Sequence, residues 1–278
     1  MINLTHKGTI ELEGKRVNIS KPYKAASQKL VGRKMELNTI AASWSFKNCF
    51  EALNPVLVGA PGIGKNQIVY EAAKITGRDL YILQGHNELS PEDLVCSARF
   101  SDNRKGAIEY SLSPLATAMV TGGIAFIDEV AKMNGRTMAN LVSILDHRRY
   151  VDSLLLGIRI EAHPAFRIIC ATNNSDLESN LWPDYIRSRV FPFIKVAVAG
   201  RDEVETIVKN NMNSSLLSFD DALFHYWNVI SDKEINPSPR DALQIFKMAL
   251  SFAAIELENS EIKIEAKHID MAFDMKGE

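Results

Sequence analysis

The sequence predicts an α/β fold: a parallel sheet sandwiched by helices and carrying hairpin insertions, followed by a small all-helical lid domain. Three observations predict it. Short apolar runs (Pro55 to Val58, Leu80 to Leu83, Ile124 to Ile127, Phe166 to Ala171) alternate with stretches of helical period in one continuous series. Runs that are apolar at every position suit strands buried on both faces, as in a parallel sheet with helices packed above and below. A glycine loop joins the first of these strands to a helix, and from Gly200 onward the pattern is helical only. The expected organisation is an N-terminal extension with a candidate hairpin (1–30), an α/β nucleotide-binding domain (31–199) and a C-terminal helical domain (200–278).

Each element has its own signal. Residues 9–19 alternate weakly around Glu13-Gly14, which predicts a short hairpin outside the main sheet. Met35, Leu37, Ile40, Ala41 and Trp44 mark a helix-rich stretch before the strand at 55–58. Gly77 ends the helix after the glycine loop, and Ser90-Pro91-Glu92-Asp93-Leu94 reads as the capped start of another, with proline at its first position. Two runs around a polar turn predict a hairpin at 98–110. Ser113-Pro114 opens a helix that Gly122-Gly123 closes, and a further helix is expected at about 134–146. A second inserted hairpin is expected at 148–162 around Gly157, and the last strand falls within 190–198.

The chemistry gathers at strand ends. Gly59-Ala60-Pro61-Gly62-Ile63-Gly64-Lys65-Asn66-Gln67 matches the phosphate-loop pattern G-x-x-x-x-G-K-[ST] at Gly59, Gly64 and Lys65. Backbone N–H groups of such a loop, with the helix N-terminus behind them, cradle phosphate, and the lysine reaches the terminal phosphates. The last position is Asn66 where the pattern has a hydroxyl that binds Mg²⁺. A carboxamide oxygen can coordinate the metal with altered reach, so nucleotide binding is better supported than fast hydrolysis. The strand 124–127 ends in Asp128-Glu129, with Asp128 suited to hold Mg²⁺ and Glu129 to orient and deprotonate the water attacking a γ-phosphate. Asn173 and Asn174 follow another strand, and either amide can bond that water or the phosphate. Arg187 and Arg189 precede the last strand, and Arg240 begins a helix, where the dipole disfavours a cation unless an anion is near.

Composition narrows the alternatives. The 278 residues are 46% hydrophobic and 24% charged, enough for one large core or two smaller ones, and the net charge of −2 gives no global attraction to nucleic acid or anionic membrane. Cys49, Cys96 and Cys170 are far apart with no metal-binding or redox spacing, and His86, His147 and His163 lack ligand spacing. The start lacks the order of a signal peptide and no apolar run approaches the ~20 residues of a membrane span, which predicts a soluble, cytoplasmic chain.

Across about residues 30–250 the order of signals resembles the AAA+ ATPases, within them the MoxR-like, dynein-related branch. Gly59–Asn66 is similar to its Walker A, with Pro61, Gly62, Ile63 and Gln67 in the nucleotide-contacting stretch, and Ile124–Glu129 to its Walker B. Ala171–Asn174 is similar to its sensor 1, which by the branch's pattern falls on Asn174 with Asn173 as second choice. Arg187 and Arg189 occupy its arginine-finger region, and Ser238-Pro239-Arg240 its sensor 2. The hairpins at 98–110 and 148–162 fall where the branch inserts its own. Asp146-His147-Arg148-Arg149 and Glu161–Phe166 are further similar to CbbQ/NorQ/GvpN-type members. The resemblance implies ATP and Mg²⁺ as ligands and a homo-oligomeric ring, a hexamer, that remodels a protein client, in many members with a von Willebrand factor A-domain partner. Two other readings stand beside it: a nucleotide-gated scaffold of weak hydrolysis, motivated by Asn66, and a nucleic-acid translocase, resting only on Arg99, Arg104, Lys105, Arg148 and Arg149 near the two hairpins.

Overall fold

The computed structural model describes residues 4–5, 8–25, 29–45, 51–101, 107–178, 182–212, 220–256 and 262–276. In chain order the elements begin with strands β1 (Leu4–Thr5), β2 (Thr9–Leu12) and β3 (Lys15–Asn18), then helix α1 (Lys34–Trp44), β4 (Val56–Val58), α2 (Lys65–Thr76) and β5 (Leu80–Gln84). Next come β6 (Cys96–Phe100), β7 (Ile108–Leu112), α3 (Pro114–Thr121), β8 (Ile124–Asp128), a 3₁₀ turn (Val130–Lys132), α4 (Gly135–Ala139) and α5 (Val142–Leu145). The chain continues with β9 (Tyr150–Ser153), β10 (Ile158–Glu161), β11 (Arg167–Thr172), α6 (Asn174–Glu178), α7 (Asp184–Arg187) and β12 (Phe193–Lys195). Helices α8 (Arg201–Asn211), α9 (Asp220–Asp232), α10 (Pro239–Glu256) and α11 (Ala266–Asp274) complete it.

Backbone contacts group these elements into two units. The first holds residues 1–25, 34–59 and 65–196. Its centre is the parallel sheet β12-β4-β11-β8-β5. Val56, Leu57 and Val58 of β4 are buried, as are Ile124 to Ile127 of β8 and every residue of β11. Each fully buried aliphatic or aromatic side chain contributes about 1.5–3 kcal/mol relative to exposure, so these strands hold their register through side chains on both faces. Because all five run parallel, with Thr172 opposite Val58 and Gln84 opposite Asp128, their carboxyl ends share one edge.

A second sheet of this unit, β1-β2-β3-β7-β6, joins the N-terminal hairpin to the inserted one. The β2–β3 turn falls at Glu13-Gly14 (φ 46° and 76°), the left-handed pair that a two-residue hairpin turn requires. The link between the hairpins is the parallel pair of β3 with β7 at Asn18 and Ser111, fastened by Ser20, whose Oγ donates to the Leu112 carbonyl at 3.0 Å. The tip of the inserted hairpin, with Arg104 and Lys105, lies outside the described residues, as does Cys49. Hairpin β9–β10 is the second insertion.

Two helix expectations are corrected. Ser90 to Leu94 forms turns, not a helix: the Ser90 hydroxyl accepts from the Asp93 N–H at 3.1 Å as a cap does, but Cys96 is already paired with Leu112 across β6–β7, and the sheet takes the chain after one turn. The helix expected at 134–146 is divided into α4 and α5, because the N–H groups of Asn140 and Leu141 bond the carbonyls three residues back, at 3.2 and 2.9 Å, tightening the path between them. Helix α3 follows its signals: Ser113 caps it by accepting from the Ala116 N–H, Pro114 opens it, and Gly122 ends it at φ 78°.

The second unit holds residues 26–33, 60–64 and 197–278. Tyr226 is its centre, stacked on Phe273 at 5.7 Å and tilted on Phe246 at 5.3 Å, with Val204, Val208, Ala242 and Ile269 around them. No helix among the described residues is long and apolar enough to cross a membrane.

Candidate functional site

The carboxyl edge of the parallel sheet brings together the polar residues that end its strands. Lys65, the first residue of α2, is 8% exposed, and its ammonium donates to the Gly59 carbonyl at 2.7 Å and to Asn173 Oδ1 at 3.0 Å. Of the two adjacent asparagines, Asn173 therefore touches the lysine, while Asn174 starts α6 exposed. One residue on, Asn66 donates through Nδ2 to Asp128 Oδ2 at 3.0 Å, and Asp128 Oδ1 accepts from the Glu129 N–H at 3.0 Å. Gln67 is half-buried behind them on α2.

Glu129 is held from both sides. Its Oε2 accepts from Gln84 Nε2 and its Oε1 meets Lys132 Nζ, each at 2.9 Å. That bond to Glu129 is the main cause that holds the Lys132 ammonium above its ordinary value. Glu129 has φ 52°, an uncommon conformation for a residue with a side chain, and it opens the 3₁₀ turn that carries Lys132 back onto its carboxylate. Gly85 makes this approach possible: a Cβ there would lie 2.5 Å from the Glu129 carbonyl oxygen and 3.0 Å from that of Asp128, and the Gly85 N–H donates to the Asp128 carbonyl at 2.7 Å. Sequence reasoning missed Gln84, Gly85 and Lys132. The available signal was Gln84 itself, a polar end to an apolar strand in the same pattern as Asp128.

The predicted arginines have different surroundings. Arg187 ends α7 exposed. Arg189 donates to the Tyr185 carbonyl at 2.6 Å, and its Nε lies 3.5 Å from Asp146 Oδ2. Asp146 is gripped by Arg148, whose Nη2 stands at 2.7 Å, and with Arg189 adding to this its carboxyl is lowered to about 2. In the second unit, loop residue Gly62 (φ 79°) rests on the start of α10: a Cβ there would meet Ser238 Oγ at 2.6 Å and Arg240 Cβ at 3.1 Å. Arg240 itself is exposed. Gly64 is also left-handed at φ 97°, Pro61 is exposed and Ile63 is buried.

These residues fit a nucleotide with its metal. At the sheet edge Asp128 and Asn66 carry a carboxylate and a carboxamide, the hard oxygens that Mg²⁺ takes, with the amide N–H of Asn66 turned to Asp128 in this structure. Among the described residues no group of three or more His, Cys, Asp or Glu forms another metal centre. His163 Nδ1 accepts from the Ala165 N–H, and burial raises both described thiols, Cys170 up to about 12.

Residues 54–190, which run from just before β4 to just past Arg189, match the AAA domain of the dynein-related subfamily. This segment is an AAA domain of that subfamily. Relatives include the protein CbbQ of Hydrogenophilus thermoluteolus, 31% identical over 118 residues, and the protein NorQ of Paracoccus denitrificans, 32% identical over 120. These matches cover 42% and 43% of this chain, and the chain spans only 43% of each relative's length. Likeness of fold extends further than the matched segment. A point mutant of RuvB from Thermotoga maritima superposes with a TM-score of 0.61 over 88% of this chain and 71% of that one, at 16% identity. A putative ATPase of Cytophaga hutchinsonii gives a TM-score of 0.51 over 87% and 80%, at 15% identity. Identities this low speak for the fold alone.

Proposed function

We propose that this chain binds ATP with Mg²⁺, hydrolyses it, and works as a homo-oligomeric ring, a hexamer, that remodels a protein client. The observation that carries the reading is the convergence of Lys65, Asn66, Asp128, Glu129 and Asn173 on one edge of the parallel sheet within an AAA domain. Lys65 and the loop amides of Gly59 to Gly64 bind the phosphates. Asn173, bonded to Lys65, stands where an amide can sense the terminal phosphate, and is preferred to Asn174 on that geometry. Asp128 and Asn66 hold the metal, which when bound supplies charge to the phosphates. Glu129 takes the proton of the attacking water once Gln84 and Lys132 release its oxygens. Arg240 contributes a cation beside Gly62, and Arg189, with Arg187, is offered to a neighbouring subunit's nucleotide. A von Willebrand factor A-domain protein remains the proposed type of partner, on resemblance.

The translocase reading loses support. Arg99 faces Glu109 at 3.7 Å, Arg148 is paired with Asp146, and Arg149 is half-buried, donating to Asn54 Oδ1 at 3.0 Å. Weak hydrolysis retains a specific observation in its favour, the Asn66 to Asp128 hydrogen bond.

The experiment is a pair of variants. Lys65→Ala is expected to lose nucleotide binding, whereas Glu129→Gln should keep it and release little phosphate. Undiminished affinity in the first, or full turnover in the second, sinks the assignment.

A further inference from the structure

The position that departs from the phosphate-loop pattern, Asn66, is the end of a chain of contacts that reaches back to the N-terminal extension. Tyr70 lies one turn after Asn66 on the same face of α2. The ring of Tyr23 packs on that of Tyr70, centroids 5.0 Å apart and planes at 33°. Tyr23 is fixed in turn by its backbone N–H, which donates to the Leu80 carbonyl at 2.7 Å where β5 begins. Burial first, and then Tyr23, push the Tyr70 phenol up to about 12, while the neighbouring Asn66 side chain acts on it in the opposite sense. At the far end the amide N–H of Asn66 reaches Asp128 Oδ2 at 3.0 Å, and Asp128 Oδ1 is taken by the Glu129 N–H.

Both Asp128 oxygens are thus bonded to donors of the chain itself. A serine or threonine hydroxyl at position 66 sits on Cβ, whereas the amide nitrogen of asparagine is one atom further out. The amide nitrogen therefore spans to the carboxylate and offsets part of its charge. A carboxylate facing phosphates ordinarily needs a cation between the two. Here part of that duty falls to Asn66, and a metal at Oδ2 must first displace its amide.

We propose that Asn66, held by Tyr70 and Tyr23 as positioning residues, makes nucleotide binding by this chain nearly independent of divalent cation. The inference rests on the reading of Lys65 and its loop as an ATP site. It assigns the N-terminal extension a part in that site, through Tyr23.

The test is titration of the full chain with ATP and with ADP, in EDTA and in Mg²⁺, followed by calorimetry. The readout is the ratio of Kd in EDTA to Kd in Mg²⁺. For the native chain the ratio should be no more than about threefold, and for Asn66→Thr about tenfold or more, the range a hydrogen bond to a charged group commonly spans. Asn66→Asp sets two carboxylates together. It should bind nucleotide only with Mg²⁺, and it decides the matter by the same ratio if the threonine variant does not fold. Tyr70→Phe and Tyr23→Phe should fall between native and Asn66→Thr, an effect that a merely packing role for the rings, which phenylalanine preserves, does not produce. A native ratio as large as that of the Asn66 variants overturns the inference while leaving ATP binding intact. No binding in either buffer overturns the ATP reading and this one with it.

Discussion

The Lys65 ammonium donates to Asn173 Oδ1 at 3.0 Å, so the cation that follows the glycine loop and an amide at the end of β11 form one hydrogen-bonded pair. Asn174, the next residue, begins α6 in solvent. Asn173→Ala is therefore expected to lower ATP hydrolysis about 100- to 1,000-fold, the range for loss of one positioned polar donor, whereas Asn174→Ala stays within about threefold. Steady-state phosphate release from the two variants checks this. A larger loss in the Asn174 variant reverses the assignment.

Gly85 should tolerate no side chain. In Gly85→Ala the new methyl meets the Glu129 carbonyl oxygen, a backbone atom with little freedom to move, so the ends of β5 and β8 must part. The expected cost is about 1–3 kcal/mol of stability, accompanied by slower hydrolysis as Glu129 shifts. Urea unfolding measures the first and phosphate release the second. A variant with native values in both would mean that the strand ends yield freely.

Asp146 gives the acid side of the stability curve a definite sign. Its folded carboxyl, lowered to about 2 by Arg148 and then Arg189, lies below the ordinary value near ~4. The stabilisation is complete above about pH 4 and is lost as pH falls toward about 2. Asp146→Asn should remove about 1–2 kcal/mol at neutral pH and flatten the loss of stability across that window. Denaturant titrations at several pH values compare the slopes; parallel curves for the two proteins would refute the assignment.

Arg189 is one-third exposed, held by Asp146 and the Tyr185 carbonyl, and is proposed to act on a neighbouring subunit's nucleotide. Mixing two inactive proteins, Glu129→Gln and Arg189→Ala, should recover hydrolysis, because some interfaces then pair an intact Glu129 with an intact Arg189. An arginine supplied in trans is associated with rate effects of order 10³–10⁵ in other phosphoryl-transfer systems. If every ratio stays inactive while both proteins bind ATP and co-assemble, Arg189 does not act across the interface as proposed.

What the sequence determined by itself was set by local chemistry. Apolar runs such as Ile124 to Ile127 announce buried parallel strands because both faces must be dry, and Gly59 to Lys65, between such a strand and a helix, carries the phosphate-loop pattern. Ser113-Pro114 and Gly122 bounded α3 through capping alone. The tertiary structure decided whatever depended on residues distant in sequence. Ser90 to Leu94 carries a sound helix start, yet pairing of Cys96 with Leu112 overrides it. The family resemblance put the polar strand-end residue at Asn174 with Asn173 second, and which of the two meets Lys65, namely Asn173, is visible only in the folded chain. Gly85, Lys132 and Tyr23 are ordinary in sequence, and Gln84 shows there only as the polar end of an apolar strand. They matter because the parallel sheet sets Gln84 opposite Asp128, because a left-handed Glu129 turns Lys132 back, and because an extension far ahead of Tyr70 in the chain lays the Tyr23 ring on it. Side chains so far apart in the chain meet only after the core has fixed the strand order, which no short-range pattern records.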